Sequence, residues 1–370
     1  MNAIGQASLP ATLQTCIALC QRFAASLSPD APFEVPRTQP TAPSPLVLLH
    51  AAVTTLRAQV TKLSLLAITA PFTASAVTTC LAPLNESILT SLVTAALLAT
   101  PELFTPSFSA ECRNLAAVTF RDLKTLLELL EVRSRDSSLT VSLQDSAKKP
   151  FTEATGKIWD DCDNLIPLAS EGVHGFVTKR AKQWLDLMKD AVEELEEWDP
   201  EDDVVDDDLL GGAHSDDDAS DDTGDKDRAA ISAGVKEQAL KVLSRIPQSV
   251  HVVIKQRLEK FPAGQGNAAP YAAQLDTLLM RTRHISELID ESAEAMYLGD
   301  LELCLKKAGE ARAVTIDIVE SVTDPFVQAH DETASRLGTK EDKYIQRALE
   351  WIRQVDTGAH PRGPSLSQLD

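Results

Sequence analysis

The sequence predicts an all-α protein built as two antiparallel helical bundles joined by a disordered acidic loop. Three observations predict it. Apolar residues recur at 3-4 spacing through most of the chain, aromatic residues make up only 5% of it, and an acidic run from Glu193 to Asp227 separates two long helical blocks. At 370 residues the chain exceeds one ordinary core, so two domains are expected. The division that follows is a first bundle over residues 1–198, an acidic linker over 199–228, a second bundle over 229–357 and a loose tail over 358–370.

Position resolves the charge of -20. Residues 199–227 hold 14 acids against one Lys, a net of -13, which leaves only -7 on everything else. The bundles are therefore mildly acidic. No basic stripe offers itself to a phosphate backbone, so direct nucleic-acid binding is not expected. Cysteines at 16, 20, 80, 112, 162 and 304 form no CxxC pair and no dense framework, which fits reduced, buried thiols. Cys16 and Cys20 stand one helical turn apart, but tetrahedral zinc needs two further ligands and none is spaced beside them. The apolar stretch from Ile88 to Ala99 is short for a membrane span and Pro83 and Pro101 flank it. No basic n-region precedes Arg22, so no secretory signal and no membrane association are expected, and residence is expected to be cytoplasmic and nuclear.

The first helix is expected over residues 8–28, with Ser8 as N-cap, Pro10 in the first turn and Leu9, Leu13, Cys16, Ile17, Cys20 and Ala24 on one face. Six prolines between Ser28 and Leu46 impose an extended connection. The second helix carries Leu46, Leu49, Val53, Leu56, Val60, Leu63, Ala67 and Ala70 in unbroken 3-4 spacing. Leu48, Leu65, Leu66 and Ile68 widen that face, and Arg57 and Lys62 are its only charges, which suits a bundle core better than a dimerising zipper. A third helix spans 73–100 with a break at Pro83, and a fourth spans 107–136 with Ala116, Phe120, Leu123, Leu127 and Leu130 inside.

Two more are expected before the acidic run: 152–165, closed by Pro167, and 172–197, with Val173, Phe176, Val177, Trp184, Leu187, Met188, Ala191 and Leu195 on its apolar side. Trp159 and Trp184 read as core anchors. Helices resume at 229–260, with a punctuation at Pro247, then at 271–298 and 301–322, with a short one opening at Pro325 and a last one at 339–355.

The sequence contains no P-loop, no GxGxxG, no HExxH, no GxSxG and no EF-hand loop. No catalytic residue, metal ligand or cofactor-binding residue is assigned, and no enzyme activity or cofactor is expected. The DDCD run at 160–163 places neighbouring carboxylates about 100° apart on a helix, which reads as a solvated face rather than a cation site. Within the acidic run, Ser215 precedes Asp216, Asp217 and Asp218, a setting for an acid-directed kinase. Val204, Val205, Leu209 and Leu210 form short apolar clusters framed by acids, candidates for docking on a partner or parts of a spacer.

The pattern TGKIWDDCDNLIPL at 155–168, then KRAKQWLDLMKDAVEELEEW at 179–198, then an acidic insert, resembles the cyclin-D-binding protein family, the Grap- and cyclin-D-interacting (GCIP-like) proteins. Trp159, Cys162 and Asp163, the Lys189, Asp190, Ala191 step, and Glu193, Glu194 and Leu195 carry the similarity. MYLGDLE at 296–302 sits where the family tends to have a Tyr-Pro-Pro element, and this chain lacks those prolines. The resemblance implies an all-helical adaptor in the style of vinculin and talin bundles. It also implies a negative role in cell-cycle progression or transcription through cyclin D or helix-loop-helix partners, with the matched residues acting structurally. A cytoskeletal or adhesion scaffold of the vinculin and catenin type is the alternative.

Overall fold

Proline positions explain much of where the helices begin. In this computed structural model, which describes residues 8–29, 31, 44–135, 143–199, 222–261, 271–326 and 340–355, every regular element among the described residues is helical. Pro10 and Pro45 occupy the first turns of α1 (Leu9–Ser26) and α2 (Pro45–Ile68), where a missing N–H costs no intrahelical bond. Pro83 ends α3 (Ala74–Pro83), and the chain widens into a π turn over Leu84–Ile88 before α4 (Leu89–Leu98). The expected break at Pro83 is thus a bulge, and helical bonding carries through it. The resulting rod, Ala74–Leu98, is by length and composition long and apolar enough to cross a membrane, longer than the apolar stretch 88–99 weighed as a span from the sequence. Half of its most apolar window is buried within the protein, as in the core helix of a bundle. α5 (Pro106–Ser134) starts at Thr105, whose hydroxyl accepts from the Phe108 N–H at 3.0 Å.

α6 (Asp145–Glu197) overturns two expected boundaries. It begins ahead of Pro150 and passes through Pro167, where the sequence expectation placed a stop. The actual bend is at Gly172, whose φ of 65° and ψ of -156° belong to a region that only glycine occupies at low cost.

Two compact units emerge among the described residues, one within 8–176 together with 271–273 and the other within 177–261 and 274–355. The packing therefore gives the second half of α6 to the second unit, whereas the expected boundary stood at 198. In the first unit α1 packs along α5, and α2 packs against α3 and α4. Leu49, Val53, Leu56, Val60, Leu63 and Ala67 of the α2 seam are all buried inside the chain's own bundle, as core rather than zipper. Phe23 and Phe120 meet at 5.6 Å between ring centroids, and Phe108 meets Phe176 edge to face at 5.7 Å.

In the second unit the buried face of the last part of α6 is Val177, Ala181, Leu185, Met188, Val192 and Leu195. Leu187, expected on that face, is exposed, because Leu185 takes the inward position 200° away around the helix. α7 (Asp222–Leu243) starts seven residues earlier than the expected Ala229, and α8 (Arg245–Val253) begins just ahead of Pro247 and leads into a second π turn, Ile254–Leu258. The break expected at Pro247 falls at Ser244 instead, since a proline is tolerated in a first turn.

α9 (Ala272–Tyr297) and α10 (Leu301–Ser321) are joined by the MYLGDLE stretch. Gly299, at φ 74°, donates to Met296 O while the Asp300 N–H donates to Ala295 O, closing α9 with a left-handed glycine cap. Asp300 then turns round and accepts from the Leu303 N–H at 3.0 Å, starting α10. One Gly-Asp step makes the hairpin without the prolines. α11 (Lys340–Arg353) packs on α8, its π turn and α10. The short helix expected to open at Pro325 lies mostly outside the described residues, as does the acidic segment 200–221.

Candidate functional site

The most informative surface of the first unit is the seam between α2 and α6. Thr61 and Arg57 stand one turn apart on α2, and Trp159 and Asp163 one turn apart on α6. The Trp159 ring N–H donates to Thr61 Oγ1 at 3.2 Å. The Arg57 guanidinium meets both oxygens of the Asp163 carboxylate, Nη2 to Oδ2 at 3.2 Å, in an ion pair open to solvent on both sides. Such a pair orients more than it stabilises, because exposed ion pairs contribute only about 0.2–1 kcal/mol. Between these two clasps Cys162 turns inward, its thiol directed at Val53 O at 4.0 Å, and burial with the neighbouring Asp161 pushes its pKa up to about 12. A thiol so held is no nucleophile at neutral pH.

Trp159, expected as a core anchor, is 38% exposed. The core position is taken by Ile158, which with Ala154, Cys162 and Leu165 forms the inward stripe, leaving Trp159 one step round the helix. Leu65, on the α2 turn after Thr61, is 56% exposed, and nothing stands within 4 Å of where a Cβ on Gly156 would be. Trp159 and Leu65 are thus large apolar side chains on either side of the seam, and Gly156 leaves open space one turn before Trp159. Asp161 departs from the solvated-face expectation for DDCD. It is buried, its Oδ2 lacks a hydrogen-bond partner, and burial together with the facing carboxylate of Asp122 on α5 raises its pKa to about 7. Asp160 and Asp163 stay exposed, and among the described residues no three His, Cys, Asp or Glu converge as metal ligands.

The other family-motif residues lie in the second unit. Lys189 is exposed and pairs with Asp186 at 2.9 Å, Asp190, Glu193 and Glu194 face solvent, and Leu195 is buried. The end of α6 is capped by Lys236 of α7, whose ammonium donates to Glu196 O at 2.9 Å and to Trp198 O, and the Trp198 ring meets Tyr297 at 5.3 Å. The Glu194 charge adds to burial in raising the Asp290 carboxyl and the Tyr297 phenol. The motif thus splits into a seam-fastening group and a helix-ending group. Ser215, Val204, Val205, Leu209 and Leu210 lie outside the described residues. Sequence reasoning missed Arg57, Thr61 and Leu65 as members of the seam. The available signal was Arg57 itself, a guanidinium on an otherwise apolar helix that has to find a counter-ion at its edge.

Long helical rods fastened by surface clasps, with an aromatic left partly open, define an all-α bundle protein. Residues 48–201, which run from α2 through α6, match the family model described as Grap2 and cyclin-D-interacting, N-terminal. Over 149 residues, 39% of this chain, the sequence is 28% identical to the Cyclin-D1-binding protein 1 homolog of Xenopus laevis. The chain spans about two fifths of the length of that curated relative, 41%. By both comparisons the chain is similar to the GCIP-like family.

Proposed function

We propose that this protein is a non-enzymatic interaction adaptor that binds a D-type cyclin or a helix-loop-helix factor and restrains cell-cycle progression or transcription, working in the cytoplasm and nucleus. The observation that carries the reading is the family match over residues 48–201, the stretch that contains the α2–α6 seam. The seam supports it chemically. Trp159 and Leu65 are exposed apolar side chains beside open space at Gly156, with the Arg57–Asp163 pair as a polar rim, the composition of an interface hot spot and its border. The apolar clusters Val204, Val205, Leu209 and Leu210 are a second candidate contact, and Ser215 a candidate site of phosphorylation that adds about -1.5 to -2 charge beside them.

The test is binding of purified cyclin D1 and of a purified helix-loop-helix factor to the full chain, to Trp159→Ala and to a chain lacking residues 199–227. Trp159→Ala is expected to weaken the complex by about tenfold or more with the helical content unchanged. Affinity purification from native cells, yielding stable complexes that contain no cell-cycle or transcription component, sinks the proposal. Mass spectrometry that covers Ser215 and never finds it modified removes the phosphorylation part alone.

A further inference from the structure

α11 does not finish itself. Its last carbonyls are taken by arginines of the surface it lies on: Arg245 of α8 donates to Trp351 O at 2.8 Å, and Arg312 of α10 donates to Ile352 O at 3.0 Å and Arg353 O at 2.7 Å. The Arg245 guanidinium also lies over the Trp351 ring, 5.0 Å from its centroid. At the other end the first-turn acids Asp342 and Glu341 meet Arg257 at 2.7 Å and Lys260 at 2.5 Å, both cations following α8. Between the two ends only Ile345, Ala348, Leu349 and Ile352 are buried.

Each of these contacts reads a generic property of a helix. The helix's first-turn acids and the cations at its C-terminal carbonyls each complement the helix dipole and its orphan groups, and the cradle meets both ends with positive charge. The apolar floor asks only for a stripe at 3-4 spacing. At the helix end Glu320 of α10 pairs with Arg353. Four cations on the receiving surface, Arg245, Arg257, Lys260 and Arg312, therefore face a helix whose fit depends little on its exact side chains.

The attachment is also slight. A free helix of 14 residues is marginal in water, and α11 contributes four buried side chains where α9 contributes twelve. Elements with few buried contacts and many rim charges open at low energy. We infer that the cradle formed by α8, its π turn and α10 is a helix-receiving site in which α11 is an exchangeable occupant, and that it accepts from a partner protein an amphipathic helix with an acidic first turn. In the intact chain α11 competes with that partner. The site lies outside residues 48–201, so this inference and the cyclin reading fail independently.

Native-state amide hydrogen exchange on the full chain decides the first half. Amides of 345–353 are expected to exchange through an opening at least about 100-fold more populated than that exposing the core amides of α9, and 1 M salt is expected to widen the gap by weakening the end contacts. Exchange of α11 in step with α9 overturns the inference, because it makes α11 an integral core helix. The second half uses a fluorescent peptide of residues 340–355 as the probe. It is expected to bind a full-length Ile345→Asp/Ile352→Asp chain, whose own α11 is ejected, at least about tenfold more tightly than it binds the wild type, while the peptide of reversed sequence does not bind. No binding to a variant whose helical content and α9 protection are intact, or equal binding of the reversed peptide, overturns it. If the variant loses its fold, the exchange comparison on the wild type decides alone.

Discussion

Helices α1 to α4 of the first unit carry only Arg22, Arg57, Lys62 and Glu86 as ions, and none of these is buried. In the second unit Arg257 is 3% exposed and donates to Val322 O, Thr323 O and the Asp342 carboxylate, while Arg245, Arg312 and Lys236 cap helix ends through backbone carbonyls. The first unit is held by volume: wide aliphatic faces whose fit depends on shape. The second also fastens the ends of its helices with cations. The difference teaches that one helical fold class can place its stability either in packing or in the satisfaction of helix termini, and that the two respond to different perturbations.

Arg257→Ala should give the largest effect and break the comparison most directly. It leaves two carbonyls and a carboxylate without their donor in a buried setting, so a loss of about 3–5 kcal/mol is expected, confined to the second unit. Hydrogen exchange resolved by segment checks it: protection should fall in α8, α10 and α11 and stay unchanged in α2 and α5. A loss below about 1 kcal/mol would mean that the apolar contacts carry the second unit as they do the first.

Leu63→Ala is the matching perturbation of the first unit. Leu63 is fully buried on α2, and the truncation should cost about 2–4 kcal/mol through lost contact and a cavity. Denaturation at low and at 1 M salt checks it, since a packing loss should be the same at both. Next in size comes a pair of glycines on α6. Gly172→Ala forces a side chain into a backbone conformation that only glycine tolerates, at a cost of about 1–3 kcal/mol, although the added Cβ would meet Leu46 Cδ1 only at 3.5 Å. Gly156→Ala sits in an ordinary helical turn with open space and should raise stability by about 0.5–1 kcal/mol. Thermal melts of both variants separate backbone strain from crowding.

The same contrast explains what the sequence made legible. The α2 and α5 cores followed from 3-4 spacing because burial in the first unit is decided by side-chain volume, which spacing encodes directly. Helix ends were harder. Pro167 was expected to stop a helix, yet a proline costs one hydrogen bond and a bend, which surrounding packing offsets, whereas Gly172 ends the straight run through a dihedral that no composition rule flags. Trp159 was expected inside because tryptophan is large, but helical phase rather than size sets the inward stripe, and Ile158 holds that place. The Arg257 cluster joins residues 65 and 85 positions apart in sequence, and such pairings leave no local pattern. Asp161 was misplaced for the same reason, since its partner Asp122 lies on another helix.

That carboxyl pair places a titratable group inside the first unit, where Arg133 of α5 is buried as well. The Asp161 pKa is about 7 in the folded chain, raised by burial and then by Asp122, against about 3.9 for an unfolded aspartate. Below about pH 4 both states are protonated and the pair costs nothing. Between about pH 4 and 7 the unfolded chain releases its proton while the folded one retains it, so the stability of the first unit falls as pH rises across that window and levels off above it. Asp122 is only half-buried, so solvent screens its part of the effect. Asp161→Asn keeps the shape, offers an amide donor to the Asp122 carboxylate and carries no proton to lose. The wild type should therefore lose stability relative to the variant as pH rises from about 4 to 7 and hold a constant gap above that, with the difference appearing in the exchange of α5 and the first half of α6. If the two proteins keep a constant gap from about pH 4 to 7, the pair is solvated.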